Sequence, residues 1–235
     1  MPAAAFPPAP VVPPPPGPEH YTGMVPTQFG MDLPGITRTV PTSPGVRTLA
    51  LTFDACGGPH GSAVDWKLIN VLRRHRVPAT LFFNSRWVEA NPTPRAELSN
   101  DPLFQIESHG ATHAPMSVTG RSAYGIPGTS SPSEVIAEIA GASRWFRAGT
   151  AHYDDVAVRI IRDRGIRIAG FTTNLDYGGT ASPDAVTTNL LGAPDGAIIL
   201  GHMNQPRGGT AIGVDAALNR LANVQFVKLP LVTSA

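Results

Sequence analysis

From Val46 onward, short apolar runs with strand character take turns with longer stretches of helical periodicity. Few architectures accept that alternation, and a mainly parallel sheet flanked by helices is the first of them. The first run, Arg47 to Asp54, sets Leu49, Leu51 and Phe53 at every second position, then meets Cys56, Gly57, Gly58 and Pro59, which break regular structure. Val64 to Arg74 follows with Val64, Leu68, Ile69, Val71 and Leu72 on one helical face. Residues 79–83 and 104–108 read as short buried strands. Ser131-Pro132-Ser133-Glu134 is a helix start, with a capping serine, a first-turn proline and a glutamate three residues on, and the helix is predicted to run to about Trp145. A helix over 154–164 closed by Gly165, a strand over 166–172, a helix opened by Ser182-Pro183, a strand over 197–200, a helix near 214–221 and a strand over 224–229 complete the series. About seven strand–helix units of this kind favour a barrel over a small open sheet.

The 235 residues fit one large domain, or one domain with a tail, and a 42% hydrophobic content is enough for a core. With 18 basic against 17 acidic residues, nothing suggests a nucleic-acid face or a polybasic membrane anchor. No run approaches the roughly 18 apolar residues of a transmembrane helix. A single cysteine, Cys56, rules out an intrachain disulfide framework. No signal peptide is visible, and an opening Met followed by a Pro/Ala stretch has the look of a trimmed mature terminus. Residues 1–18 hold nine prolines and predict a disordered or extended tail. Residues 19–45, interrupted by Gly and Pro, predict an irregular arm packed on a domain that spans 46–235.

Five polar clusters share one address, at or just past the end of a predicted strand: Asp54 with Cys56, His109 with His113, Phe146-Arg147-Ala148-Gly149, Asp176, and His202. Open α/β folds and barrels keep their chemistry there, and gathered at one end these clusters would bring together three histidines, two aspartates and an arginine. His109 and His113 are spaced so that one helical turn would aim both imidazoles at a shared cation; a hydrogen-bonded turn over Ser108-His109-Gly110 is the other reading. Gly110 after the first histidine excludes the HExxH pattern of zinc proteases. Neutral imidazoles suit Zn, Co, Ni or Fe.

In this order the clusters resemble the polysaccharide deacetylase (NodB-homology) family, carbohydrate esterase family four. The matching stretches are TFDA at 52–55, PATLFF at 78–83, SHGATHAP at 108–115, FRAGT at 146–150, NLDY at 174–177 and ILGH at 199–202. The resemblance implies a distorted (β/α) barrel of about seven to eight units. It implies a metal-dependent hydrolase that takes N-acetyl groups from an amino-sugar polymer such as peptidoglycan or chitin. By position it makes Asp54 the general base, His109 and His113 metal ligands, Arg147 the partner of the base, Asp176 the orienter of the last histidine and His202 the general acid. Leu200, Met203 or Tyr177 would wall the acetyl methyl group. The implied cofactor is a divalent metal, zinc first, and the implied partner an acetylated glycan, which suggests a secreted, periplasmic or cell-wall protein.

The chain departs from the family pattern at Ala55, where the first motif carries a second acid that binds metal. Three substitutes are open: Asp54 swings onto the metal, two histidines suffice with water, or Cys56 or His60, spaced C-x3-H, supplies the donor. A small buried cysteine behind the site is the plainer reading of Cys56. Ala148 stands for the usual proline, and Tyr177-Gly178-Gly179 follows Asp176 where the family has a second acid and a tryptophan. An O-acetyl esterase on xylan or a similar glycan, and a glycan-binding pseudoenzyme weakened at Ala55, are the competing functions.

Overall fold

In the computed structural model, which describes residues 13–142 and 144–231, the arm that precedes the regular alternation is already part of the fold. Most of the proline-rich tail, residues 1–12, lies outside the described residues. Tyr21, at the end of a single turn over Pro18–Tyr21, is fully buried and donates its hydroxyl to Asp163 at 2.9 Å. Beyond it, β1 (Phe29–Gly30) and β2 (Ile36–Thr37) give the arm, expected to be irregular, two short strands.

The regular part runs β3 (Arg47–Ala55), α1 (Trp66–His75), β4 (Ala79–Phe83), α2 (Ser85–Ala90), α3 (Pro92–Asn100) and β5 (Phe104–Ser108). It continues through α4 (Pro132–Glu138), β6 (Trp145–Phe146), β7 (Tyr153–Asp154), α5 (Asp155–Arg162), β8 (Arg167–Ala169) and β9 (Thr173–Asn174). The last elements are α6 (Pro183–Leu191), β10 (Ala197–His202), α7 (Thr210–Leu218) and β11 (Val224–Phe226). Nine strands form one parallel sheet in the order β2-β8-β6-β5-β4-β3-β10-β9, with β11 beside the start of β3; β1 pairs separately, antiparallel to β7. The sheet curls into a half-barrel. Its open side is stitched by irregular hydrogen bonds: the Val40 N–H donates to Gly196 O at 2.8 Å, Gly170 N–H to Thr37 O at 2.8 Å and Thr172 N–H to Ile198 O at 3.0 Å.

β3 explains the layering. Leu49, Leu51, Phe53 and Ala55 fall on one face and join Leu68, Ile69 and Leu72 of α1, Val186 and Leu190 of α6, and Val214 and Ala217 of α7 in the largest apolar cluster. Each fully buried leucine or isoleucine there contributes about 1.5–3 kcal/mol. The alternate residues Ala50, Thr52 and Asp54 face the concave side, where Ala50 packs with Phe82, Trp145, Ala169 and Ile198. A second cluster joins α5 to Tyr21, Met116, Val135, Phe146 and Tyr153. Among the described residues no helix is long and apolar enough to cross a membrane.

Three expectations change. The helix capped by Ser131 ends at Glu138, not near Trp145. Trp145 enters the sheet opposite Arg167 and donates its indole N–H to Pro230 O, and that pairing overrides a helical pattern already weakened by Gly141. α2 and α3 had no counterpart in the sequence reading, because Asn84 and Asn91-Pro92 look like turn residues. In fact the Asn84 side chain caps α2, and Pro92 occupies the first turn of α3, where its missing N–H costs nothing. His109 and His113 do not share a helical turn.

Candidate active site

The parallel register of β3 with its neighbours fixes the first part of the site. Asp54 lies opposite Phe82 of β4 on one side and opposite His202 of β10 on the other. Its carboxylate is buried and accepts from Arg147 Nη1 at 2.9 Å. Arg147, just past β6, is itself without exposed surface and uses its whole fork: Nη2 donates to Thr52 Oγ1 at 2.8 Å and Gly170 O at 3.2 Å, and Nε donates to Ala169 O at 3.2 Å. The guanidinium also lies 4.4 Å over the Phe82 ring. Burial pushes the Asp54 carboxyl up, but the neighbouring His109, Arg147 and His202 outweigh it and hold it below its ordinary value.

The His109–His113 stretch is a clamped loop. Gly110 takes φ +80° and His113 φ +69°, so both imidazoles are set by left-handed backbone. Glu138, buried at the end of α4, holds that shape: its carboxylate accepts the backbone N–H of Thr112, His113 and Ala114 and the Thr112 hydroxyl. Asn84 holds the other side, donating to the carbonyls of His109 and Gly110 at 3.0 and 2.8 Å. The sequence reading passed over both residues. Glu138 gave a faint signal, as a charged residue on the apolar face shared by Val135 and Ile139. The two rings meet edge to face at 4.9 Å between centroids. His109 is fully buried, and its Nδ1 lies 2.9 Å from Arg147 O, an acceptor only, so Nδ1 carries a proton, while Nε2 lies 3.6 Å from Asp54 Oδ2 and 3.8 Å from Cys56 Sγ.

His202 closes the site from the tip of β10. Its Nδ1 lies 2.8 Å from Asp176 Oδ1, and its backbone N–H donates to Asp176 Oδ2 at 2.7 Å. Thr210 at the start of α7 also donates to Oδ2, so both oxygens of the Asp176 carboxylate are engaged. Burial alone would lower the His202 imidazole, but the Asp176 carboxylate beside it, with Cys56, raises it well above the ordinary histidine value.

A cleft of about 390 Å³ opens over these groups, lined by Asp54, His113 and His202 and walled by Tyr124, Tyr177 and Leu200. Tyr177 and Leu200, which the resemblance made candidates for walling the acetyl methyl, both line this cleft. Met203 does not: it has no exposed surface and packs in the large apolar cluster behind the sheet. Tyr124, which the sequence reading overlooked, is 77% exposed at the rim. A larger groove of about 820 Å³ is lined by Ile36, Thr37, Trp145 and Arg167, at the opposite ends of the strands, away from every group above.

The side chains considered as a third donor lie in different surroundings. Ala55 is buried with Leu49, Leu51 and Phe53, on the face of β3 turned from Asp54. Asp54 gives Oδ1 to Arg147, and its Oδ2 lies 3.6 Å from His109 Nε2. His60 is exposed and takes no part. Cys56, two residues on from Asp54, brings its Sγ to 3.8 Å from His109 Nε2, and donor atoms of Cys56, His109 and His113 all lie within 4.8 Å of one another. Burial pushes the Cys56 thiol up, yet the surrounding histidines pull it well below its ordinary value. His113 Nε2 is buried with no hydrogen-bond partner. An orphaned imidazole nitrogen beside His109 Nε2 and a thiol is a donor set that fits a divalent metal.

Comparison with known proteins follows the same line. The profile of the Polysaccharide deacetylase family matches residues 42–190, which leaves His202 beyond the matched stretch. The uncharacterized protein YlxY of Bacillus subtilis (strain 168) is 24% identical over 159 residues, 66% of this chain, and the chain spans only 48% of that curated relative. BA3943, a CE4 family pseudoenzyme from Bacillus anthracis, superposes with a TM-score of 0.61 at 21% identity, covering 80% of this chain and 68% of that one. The Bc1960 peptidoglycan N-acetylglucosamine deacetylase gives a TM-score of 0.64 at 22% identity, with 80% and 89% covered. At such identities the structural likeness concerns the fold.

Proposed function

The chain belongs to the polysaccharide deacetylase family, and we propose that it acts there as a metal-dependent hydrolase removing N-acetyl groups from an amino-sugar polymer. The observation that carries this reading is the convergence of Asp54, His113 and His202 on one cleft, each held by a partner that suits its role. His109 and His113 would hold the metal, zinc ahead of cobalt, nickel or iron. When bound, the metal polarises the acetyl carbonyl and acidifies water.

The remaining work falls to the chain's own groups. Asp54, kept ionised by Arg147, takes a proton from the attacking water, while Arg147 is too fully engaged to leave it. His202, held protonated by Asp176, gives its proton to the departing amine nitrogen. Acetate and the free amino sugar then leave, and the water's proton on Asp54 passes to solvent. Leu200 and Tyr177 offer the apolar wall that an acetyl methyl needs. A peptidoglycan deacetylase of the same fold makes peptidoglycan the first polymer to test, with chitin-like chains next. Such polymers would place the protein in the periplasm, in the cell wall or outside the cell.

Two other readings have observations behind them. An O-acetyl ester on xylan or a similar glycan would meet the same base and acid. Ala55, and a pseudoenzyme among the structures of the same fold, favour glycan binding without turnover. Acetate release from N- and O-acetylated glycans, with and without chelator, separates all three. The deacetylase reading expects chelator-sensitive release from the N-acetylated chains. Release from O-acetyl chains alone points to the esterase, and binding without release in zinc-loaded protein points to the binder.

A further inference from the structure

We infer that the Cys56 thiolate is the third protein ligand of the metal, giving this chain a Cys-His-His donor set where its family uses an acid. The inference rests on the metal-dependent reading above and specifies the site that reading leaves incomplete.

Four observations bring Cys56 to this role. First, Cys56 follows the last residue of β3 and brings its Sγ to 3.8 Å from His109 Nε2, while Ala55 packs in the apolar layer. The family resemblance implies an acid at position 55, where this chain has alanine, and a softer donor stands one residue later, beside the two histidines. Second, the donor atoms of Cys56, His109 and His113 lie within 4.8 Å of one another, close enough to share one ion after small side-chain adjustments. Third, both imidazoles have a nitrogen to give. His109 Nδ1 is committed to the Arg147 carbonyl, which leaves Nε2, 3.8 Å from the thiol, and His113 Nε2 is buried with no partner. A carbonyl behind a ligating histidine is the usual outer support of a metal centre. Fourth, Asp54 Oδ1 is bound to Arg147, and although Oδ2 lies 3.6 Å from His109 Nε2, using it as a ligand would take away the proposed base.

The chemistry follows from the donors. Two imidazoles and one thiolate are three protein ligands, the number that catalytic zinc sites use with one position left for water. Sulfur shifts the preference toward zinc and away from harder cations. The thiolate is the ligating form, and any proton the sulfur carries passes to solvent as the metal binds.

Cys56 is the chain's only cysteine, which makes the test clean. Full-length protein is stripped of metal, then loaded with zinc or cobalt(II). We expect one equivalent bound, a sulfur neighbour at about 2.3 Å by X-ray absorption, and a near-ultraviolet thiolate-to-cobalt charge-transfer band. Zinc should slow alkylation of the thiol by iodoacetamide at least about tenfold. Cys56→Ser should lose the sulfur signal and weaken zinc binding by about 10–100-fold or more. His109→Ala should also restore alkylation in the presence of zinc, a second route should Cys56→Ser not fold. Zinc with only nitrogen and oxygen neighbours, or an alkylation rate indifferent to zinc, overturns the inference. Failure to bind any metal overturns both it and the hydrolase reading. A sulfur shell without acetate release leaves Cys56 as ligand and removes the hydrolase; acetate release without a sulfur shell does the reverse.

Discussion

His202 sits directly opposite Asp54 in the parallel pairing of β10 with β3. Adjacent parallel strands run about 4.8 Å apart, so the register itself sets the proposed acid beside the proposed base. Neither residue depends on a mobile loop for its place. What tunes them comes from elsewhere: Arg147 from beyond β6, and Asp176 from the turn after β9.

Removing Arg147 should be costly for stability as well as for turnover. Arg147→Ala leaves the Asp54 carboxylate buried without its ion-pair partner, a loss of about 3–5 kcal/mol. Urea unfolding of the variant should show it as a lowered midpoint. The double variant with Asp54→Asn should recover part of that loss, because the uncompensated charge is gone. Additive losses would mean that the pair does not interact energetically.

Asp176→Asn should move the alkaline limb of the pH–rate profile to lower pH. The Asp176 carboxylate raises the His202 imidazole against burial, which lowers it. A general acid works only while protonated, so activity falls as pH rises through its pKa, and without the carboxylate that fall comes earlier. An unmoved alkaline limb would remove Asp176 as the group that tunes His202.

Glu138 should control metal affinity without touching the metal. Glu138→Ala deprives the N–H groups of Thr112, His113 and Ala114 of their acceptor. Leaving such donors unpaired costs about 1–3 kcal/mol. The loop that aims His113 should loosen, and zinc affinity should fall about 10–100-fold, as for other outer supports of metal ligands. Competition with a chromogenic chelator measures this, and unchanged affinity would make Glu138 a purely structural residue.

Tyr124→Ala should raise KM several-fold with little change in kcat. Its ring is exposed at the rim of the cleft that Tyr177 also lines, edge to face with His152 at 5.2 Å. A sugar face can stack there without reaching the reacting atoms. A fall in kcat with KM unchanged would place Tyr124 in the chemistry instead.

The sequence marked the strand ends well because strand alternation is local. Leu49, Leu51 and Phe53 show which residues turn outward, and with them the inward place of Asp54. The partners of those residues could not be read this way, since each arrives from far along the chain. Glu138 reaches the His113 loop from 25 residues away, and its charge on an apolar helix face was the lone hint. The His109–His113 spacing suggested a helical turn that would bring the imidazoles together, but Gly110 and His113 in left-handed conformation bring the rings to 4.9 Å instead. Met203 follows the histidine on β10, and the strand's two-residue period alone turns it away from the cleft into the apolar layer. The ending of α4 was hidden because Trp145 gains more from the sheet than from helical continuation.

The arm carries a last consequence. A polypeptide begun at Val46 would keep every titrating residue of the cleft, yet it would lose Ile36 and Thr37 from the flank of β8 and Val40 from the seam with Gly196. The bare β8 flank would offer unpaired amides and carbonyls to any passing chain. Self-association of such a shortened form, with the full-length protein remaining dispersed, would show that the first stretch of the chain serves as the sheet's own guard rail.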